Sequence, residues 1–187
     1  MDAITLLKDD HRRVEELFTG FEQAGARAHK TKGALVADMV RELSVHAAIE
    51  EQHFYPLVRA ELPDLEGTML EGIEEHHVVK WLLSELEHLD TGAENYDAKV
   101  SVLIESVRHH VKEEEHEVFP AVRRALGKAE LGRLGERMEE AKASAPTHPH
   151  PRSPSEPPAN LAVGAVAGLV DRARDAASTA VERVTHR

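Results

Sequence analysis

The chain has 187 residues, 41% of them hydrophobic and 30% charged, which suits a globular domain of ordinary size with additions. Its formal net charge of −11 sits almost wholly in residues 1–143, where 18 Lys+Arg face 30 Asp+Glu (net −12), while residues 144–187 hold 5 against 4 (net +1). An acidic body lacks the basic face that nucleic acid requires, so no nucleic-acid partner is expected, and the absence of cysteine excludes disulfides, thiolate ligands and iron–sulfur clusters.

Ala, Leu, Val, Glu and Arg dominate and aromatics are only 4%, a balance that favours helix over sheet. Segment A runs from Ala3 to Ala24 and ends at Gly25. Segment B runs from Ala34 to about Leu62, where Pro63-Asp64 stops it. Segment C spans about Leu65 to Leu89, and segment D starts near Asn95, a candidate N-cap, and reaches Leu126-Gly127. Pro56 and Pro120 are expected to kink the last turns of B and D. A short fifth helix, Lys128 to Ala143, completes a first unit over residues 1–143. The N-terminus turns charged within eight residues and shows no leader pattern, and no apolar run reaches membrane-spanning length. The expected setting is the cytoplasm.

Residues 144–158 contain six prolines and read as a stiff, extended linker. Residues 159–187 read as an Ala/Val-rich, weakly amphipathic helix, or as a segment that orders only on contact. The linker is expected to isolate this tail from the bundle.

Two copies of one pattern are visible. His46 is followed by Glu50 and Pro56, and His110 by Glu114 and Pro120, at the same offsets of four and ten, and P-x-V-R-x-x-L follows in each. Upstream, Asp10-His11 lies 35 residues before His46 and Glu75-His76 lies 34 before His110. The chain is therefore two related helical hairpins, and the expected fold is an all-α, up-down-up-down four-helix bundle.

Each histidine interrupts a core stripe. Ile4, Leu7, His11, Val14 and Phe18 share one face of A; Met39, Leu43, His46, Glu50, His53 and Leu57 share one face of B; Ile73, His76, Val79 and Leu83 share one face of C; Val100, Leu103, Val107, His110, Glu114 and Glu117 share one face of D. The midpoints of successive histidines fall at the three interhelical turns, which puts all four at one level of an antiparallel bundle. His11 and His46 each lie about 26 Å from their turn at 1.5 Å per residue.

A buried, unpaired carboxylate costs several kcal/mol, so Glu50 and Glu114 are favourable in a core only beside cations or protonated partners. A His–Glu pair four apart projects onto one side of a helix and can share an ion. His11, His46, Glu50, His76, His110 and Glu114 are thus the candidate metal ligands, the plain alternative being core histidines hydrogen-bonded to glutamates without metal. His53, His77, Tyr55, Glu115 and Glu117 are further candidates as ligands or supporting partners, with Tyr55 read chiefly as a packed side chain at the kink and Glu51 and Glu115 as possible competitors for the ion. His29, His88 and His186 read as surface residues, and His148 and His150 as too exposed to form a site alone.

The set His11, His46-Ala-Ala-Ile-Glu50, His76 and His110-Val-Lys-Glu-Glu114 resembles the hemerythrin-like, HHE cation-binding family over residues 3 to about 126. The remainder resembles no family by its own residues, though the layout of a bundle followed by a proline-rich tail is similar to that of actinobacterial members. The resemblance implies a bundle around two non-haem, oxo- or hydroxo-bridged irons, with Glu50 and Glu114 bridging or capping them. Oxygen-carrying hemerythrins have two histidines four apart on the third helix, whereas Lys80 stands four after His76. That departure turns the expectation from oxygen carriage towards reaction with small inorganic molecules (H2O2, O2 or NO) in a catalase- or peroxidase-type role. The alternative is a module that binds or senses O2, NO or iron without turnover.

Overall fold

Asp2 opens the first helix by accepting the Thr5 backbone N–H at 3.0 Å, which satisfies one of the free donors at the start of α1, Ala3–Gln23. The computed structural model describes the backbone of residues 1–185 and the side chains of residues 1–177. The second helix, α2, His29–Ile49, begins ahead of the expected Ala34. Its first turn is held by Lys32, whose ammonium lies 2.5 Å from Asp97 and over the Phe21 ring, and by His29, whose Nδ1 is 2.9 Å from the Thr91 carbonyl.

The expected kinks at Pro56 and Pro120 take a specific form. Proline has no N–H, and its ring collides with the carbonyl four residues back. The chain answers with one widened π turn before each proline, Glu50–Phe54 and Glu114–Val118, closed by the N–H of Tyr55 on the Glu50 carbonyl and of Phe119 on the Glu114 carbonyl. Helices α3, Tyr55–Glu61, and α6, Phe119–Ala125, continue the two rods beyond these turns. Between them a short 3₁₀ turn, Pro63–Leu65, leads to α4, Glu66–Leu86, and a second turn leads to α5, Tyr96–Glu113. Asn95 precedes α5 without making a side-chain cap. The rods run up, down, up and down.

Two apolar clusters fill the bundle, one on each side of a polar layer. The cluster toward the α1–α2 and α4–α5 turns includes Phe18, Phe21, Met39, Leu83, Tyr96 and Leu103. The other includes Leu7, Ile49, Phe54, Val58, Met69, Val118 and Val122, and is closed by Leu131, Leu134 and Met138 of α7, Lys128–Lys142. Gly135 lets α7 cross the start of α1, since a Cβ there would press on the Asp2 backbone. Each fully buried large apolar side chain contributes about 1.5–3 kcal/mol, which lets the fold tolerate the polar layer between the clusters.

The proline-rich segment does not isolate the tail. Ala145, Pro146 and Pro149 are buried, and the N–H groups of Thr147 and His148 both donate to Asp171 of α8, Ala159–Thr185, at 3.1 and 3.2 Å. His148 bridges Glu87 at the end of α4 and Asp175 of α8, while Asn160 donates to the Glu51 carbonyl at 3.1 Å. Backbone donors left between the prolines thus find acceptors on α8, and the segment straps that helix to the bundle. Among the described residues no helix is long and apolar enough to cross a membrane.

Candidate metal centre

The six residues expected to ligate metal meet in the polar layer. All are buried, and their ligand atoms form two overlapping groups, His11, His46, Glu50 and Glu114, and Glu50, His76 and His110, with the atoms of each group within 4.8 Å of one another. Glu50 Oε2 lies 3.1 Å from His46 Nε2 and 3.4 Å from His76 Nε2; Glu114 Oε2 lies 3.4 Å from His11 Nε2 and 3.7 Å from His110 Nε2. Each glutamate therefore spans both hairpins.

Every imidazole turns Nε2 inward and Nδ1 toward a carboxylate of an outer ring. His11 meets Glu115 at 3.0 Å, His46 meets Asp10 at 3.6 Å, His76 meets Glu51 at 3.0 Å and His110 meets Glu75 at 2.6 Å. A carboxylate on Nδ1 fixes the ring orientation and makes Nε2 the better metal donor, the arrangement usual for metal-bound histidine. Glu51 and Glu115, read from sequence as competitors for the ion, instead hold histidines, as does Glu75, while Asp10 faces His46 from just beyond hydrogen-bond distance. The clue lay in the repeat: Asp10-His11 and Glu75-His76 on one side, Glu50-Glu51 and Glu114-Glu115 on the other.

Burial opposes charge on His46, but Glu50 and Asp10 outweigh it and raise its pKa to about 10. Burial likewise opposes charge on His110, and Glu114, Glu75 and Glu50 raise it to about 9. Glu50 is held well below the usual carboxylate range despite its burial, by His46 and His76. Protons thus occupy in the metal-free layer the electrostatic role of a cation, and metal must displace them.

Tyr55 enters the layer too. Its hydroxyl donates to Glu114 Oε1 at 3.0 Å and lies 3.4 and 3.3 Å from the Nε2 atoms of His76 and His110, and its ring stacks on His76. Burial and the neighbouring Glu114 and Glu50 push the phenol well above its ordinary pKa. Gly72 makes the room, because a Cβ there would stand 3.2 Å from the phenol oxygen. Reading Tyr55 chiefly as packing missed this. On a regular α-helix residues 50 and 55 diverge by about 140°, whereas a turn closed over five residues brings 55 back above 50.

The remaining candidates lie elsewhere. His53 is half-buried, with burial and Arg137 lowering its pKa, and Glu117 is exposed. His77 faces the strap, with Nε2 2.7 Å from Ser155 Oγ. Lys80 leaves the layer and donates to both oxygens of Glu51 at 2.6 and 2.7 Å. His29 and His88 are exposed, His148 and His150 pair with carboxylates of α8, and His186 lies outside the described residues.

These residues fit a metal. His11 Nε2, His46 Nε2, both oxygens of Glu50 and Glu114 Oε2 are buried without hydrogen-bond partners, even where an imidazole stands within 3.1–3.7 Å. Orphaned buried polar atoms cost several kcal/mol each when charged, and cations among them would satisfy all five at once. Imidazole, carboxylate and phenol together suit a divalent or trivalent first-row metal.

The Hemerythrin HHE cation binding domain family matches residues 2–122. A hemerythrin-like protein of Schizosaccharomyces pombe is 28% identical over 167 residues, which are 89% of this chain and 81% of that protein. A DNA nickase of Nostoc is 27% identical over 143 residues, and this chain spans only 40% of its length. The crystal structure of a hemerythrin HHE cation binding domain-containing protein from Mycobacterium kansasii superimposes with a TM-score of 0.64 at 27% identity, covering 77% of this chain and 89% of that one. With the family matched over most of the bundle, a solved relative of the same fold and the His/Glu layer in place, the chain belongs to the hemerythrin HHE cation-binding family.

Proposed function

We propose that the layer holds two non-haem irons through His11, His46, Glu50, His76, His110 and Glu114, and that the protein consumes small oxidants in the cytoplasm, hydrogen peroxide first among them. One observation supports a small substrate. A cavity of about 20 Å³ adjoins the layer, bordered by His11, His46, His76 and His110 and walled by Val14, Leu43, Ala47, Val79, Val107 and Val111. A single water-sized molecule needs about 10–15 Å³, so peroxide, O2 or NO suits this space and an organic substrate does not.

When bound, a pair of irons supplies a two-electron redox change at one place. The chain supplies the rest. The outer carboxylates keep the four Nε2 atoms aimed inward, the valines line the cavity with apolar surface, and the Tyr55 hydroxyl holds a proton on the Glu114 side of the layer. The overall reaction balances as two H2O2 giving two H2O and one O2, with no outside electron donor. Iron-loaded protein is expected to consume peroxide at a rate proportional to bound iron. A fully loaded protein that leaves peroxide untouched and binds O2 reversibly overturns this reading.

A second reading is favoured by the strap. Asn160 grips the carbonyl of Glu51, whose side chain holds His76, so ligand-driven movement in the layer has a direct line to α8. On that reading the protein senses O2, NO or iron occupancy. Protease protection of α8 that changes with ligand in the absence of turnover would establish it.

A further inference from the structure

The pattern His-x-x-x-Glu occurs twice where α5 runs into its π turn, and only one copy enters the core. His110 and Glu114 face the layer; His109 and Glu113, one position earlier, face outward. His109 Nε2 lies 3.5 Å from Glu113 Oε1 and 3.9 Å from Glu75 Oε1 across on α4, and one ligand atom from each residue falls within 4.8 Å of the others. Two donors bound to one ion at about 2.1 Å in tetrahedral array stand about 3.4 Å apart, so the helical pair is already at that spacing. His109 is 64% exposed and free to close the remaining gap to Glu75.

In the first hairpin the corresponding positions are Val45 and Ile49, packed into the core cluster. Arg108, the cation next to His109, does not compete: it pairs with Glu15 and Glu22 of α1, on the other edge of the helix. Glu75 is the link inward, because its other oxygen lies 2.6 Å from His110 Nδ1.

We propose that Glu75, His109 and Glu113 form a surface site for a divalent first-row transition metal, such as Co²⁺, Zn²⁺ or Fe²⁺, and that an ion held there is staged for delivery to the core. One imidazole and two carboxylates select such ions over Mg²⁺ and Ca²⁺, which prefer all-oxygen surroundings, and the two negative charges match one dication. The staging role rests on the core's being a metal centre; the surface site does not.

The test is titration of the full metal-free chain with Co²⁺, followed by its visible absorption and by calorimetry. The wild type should bind one ion more than the double variant His109→Ala, Glu113→Gln, whose substitutions are superficial and leave the outer ring intact. Equal stoichiometry in the two overturns the surface site. A core variant, His46→Ala, distinguishes the two readings: it should keep the surface ion while losing core ions, and a core variant that loses none removes the core reading without touching this one. The rate of Fe²⁺ uptake into the core should fall several-fold in the double variant at unchanged final content. An unchanged uptake rate with the surface ion lost overturns the staging role.

Discussion

Laid over one another, the two hairpins pair Asp10 with Glu75, His11 with His76, His46 with His110, Glu50 with Glu114, Glu51 with Glu115 and Tyr55 with Phe119. The polar pattern is the same in both, and so is the stacking, Tyr55 on His76 and Phe119 on His11. One hydroxyl breaks the symmetry. Glu114 Oε1 accepts from Tyr55, while its counterpart Glu50 Oε1 has no hydrogen-bond partner, because phenylalanine stands where a second phenol would be. The position four before each histidine follows suit, with Gly72 leaving room for the phenol and Leu7 filling the equivalent place. Repetition therefore supplies the His/Glu layer, and departures from it make its two halves chemically unequal.

The largest effect expected is loss of what both halves share. His110→Ala or Glu114→Ala should abolish iron retention and peroxide turnover together, whereas His88→Ala, in the exposed turn after α4, should change neither. Removing the metal leaves Glu50 and Glu114 facing each other across the layer with only protons to screen them. A ligand present at about 1,000 times its Kd stabilises the native state by about 4 kcal/mol. For a chain of this size that corresponds to roughly 8–16 °C in Tm. Calorimetric melting of metal-free and iron-loaded protein checks it, and equal Tm values would contradict a metal that binds the folded state.

A smaller effect separates the hairpins by their lysines. Lys80 and Glu51 are nearly buried, at 12% and 4% exposure, while the equivalent partner of Glu115 is Lys8, at 42% and 26%. Breaking a buried ion pair strands a charge and costs about 3 kcal/mol or more, whereas an exposed pair is worth at most about 1 kcal/mol. Lys80→Ala should therefore destabilise far more than Lys8→Ala in urea titration, and similar losses would show that Glu51 is screened by something other than Lys80. Lys80→His tests the family comparison: if imidazole reaches the layer, it should slow peroxide turnover.

The aromatic pair should separate by less. Tyr55→Phe equalises the hairpins by subtraction and should cost about 1 kcal/mol for the lost hydrogen bond, with loss of any phenolate-to-iron absorption band. Phe119→Tyr adds the second hydroxyl against Leu7 and should cost about 1–3 kcal/mol through overpacking. An unchanged visible spectrum in Tyr55→Phe would show that the phenol is not an iron ligand.

How much of this was legible before the fold follows from what period and repeat can carry. The four inward histidines and their common level came from stripes of 3.6 period and equal distances to turns, and both survive in the structure because the rods above the π turns are regular. Tyr55 did not, because a π turn shifts the phase of everything after it, and a template with a single period assigns residue 55 to the wrong face. Pro56 and Pro120 were the visible signal, read as kinks rather than as inserted turns. The outer carboxylates were visible as residues but not as roles, since adjacent positions on a helix point about 100° apart and only the neighbouring rod decides what Glu51 or Glu115 meets. The strap was missed for a different reason: composition showed six prolines, but the acceptors that tie them down, Asp171 and Asp175, lie more than twenty residues downstream.

The smallest expected effect concerns that strap, the region furthest from the symmetric layer. Burial opposes charge on His148, but Glu87 and Asp175 outweigh it and raise its pKa, against Arg174 nearby; Arg41 lies close enough to help hold Asp175 ionised. A histidine whose pKa is raised on docking contributes stability that is complete below its ordinary value of about 6.5 and is lost as pH rises through the raised value. Alkaline pH should therefore loosen α8 while Asp171, which binds the backbone of Thr147 and His148, still tethers it. Hydrogen exchange along residues 144–177 should quicken between pH 6 and pH 9 by more than the intrinsic rate change, and His148→Gln should remove that excess without altering iron content. If exchange in α8 follows the intrinsic rate alone, the strap is held by packing and by Asp171, and His148 contributes nothing to it.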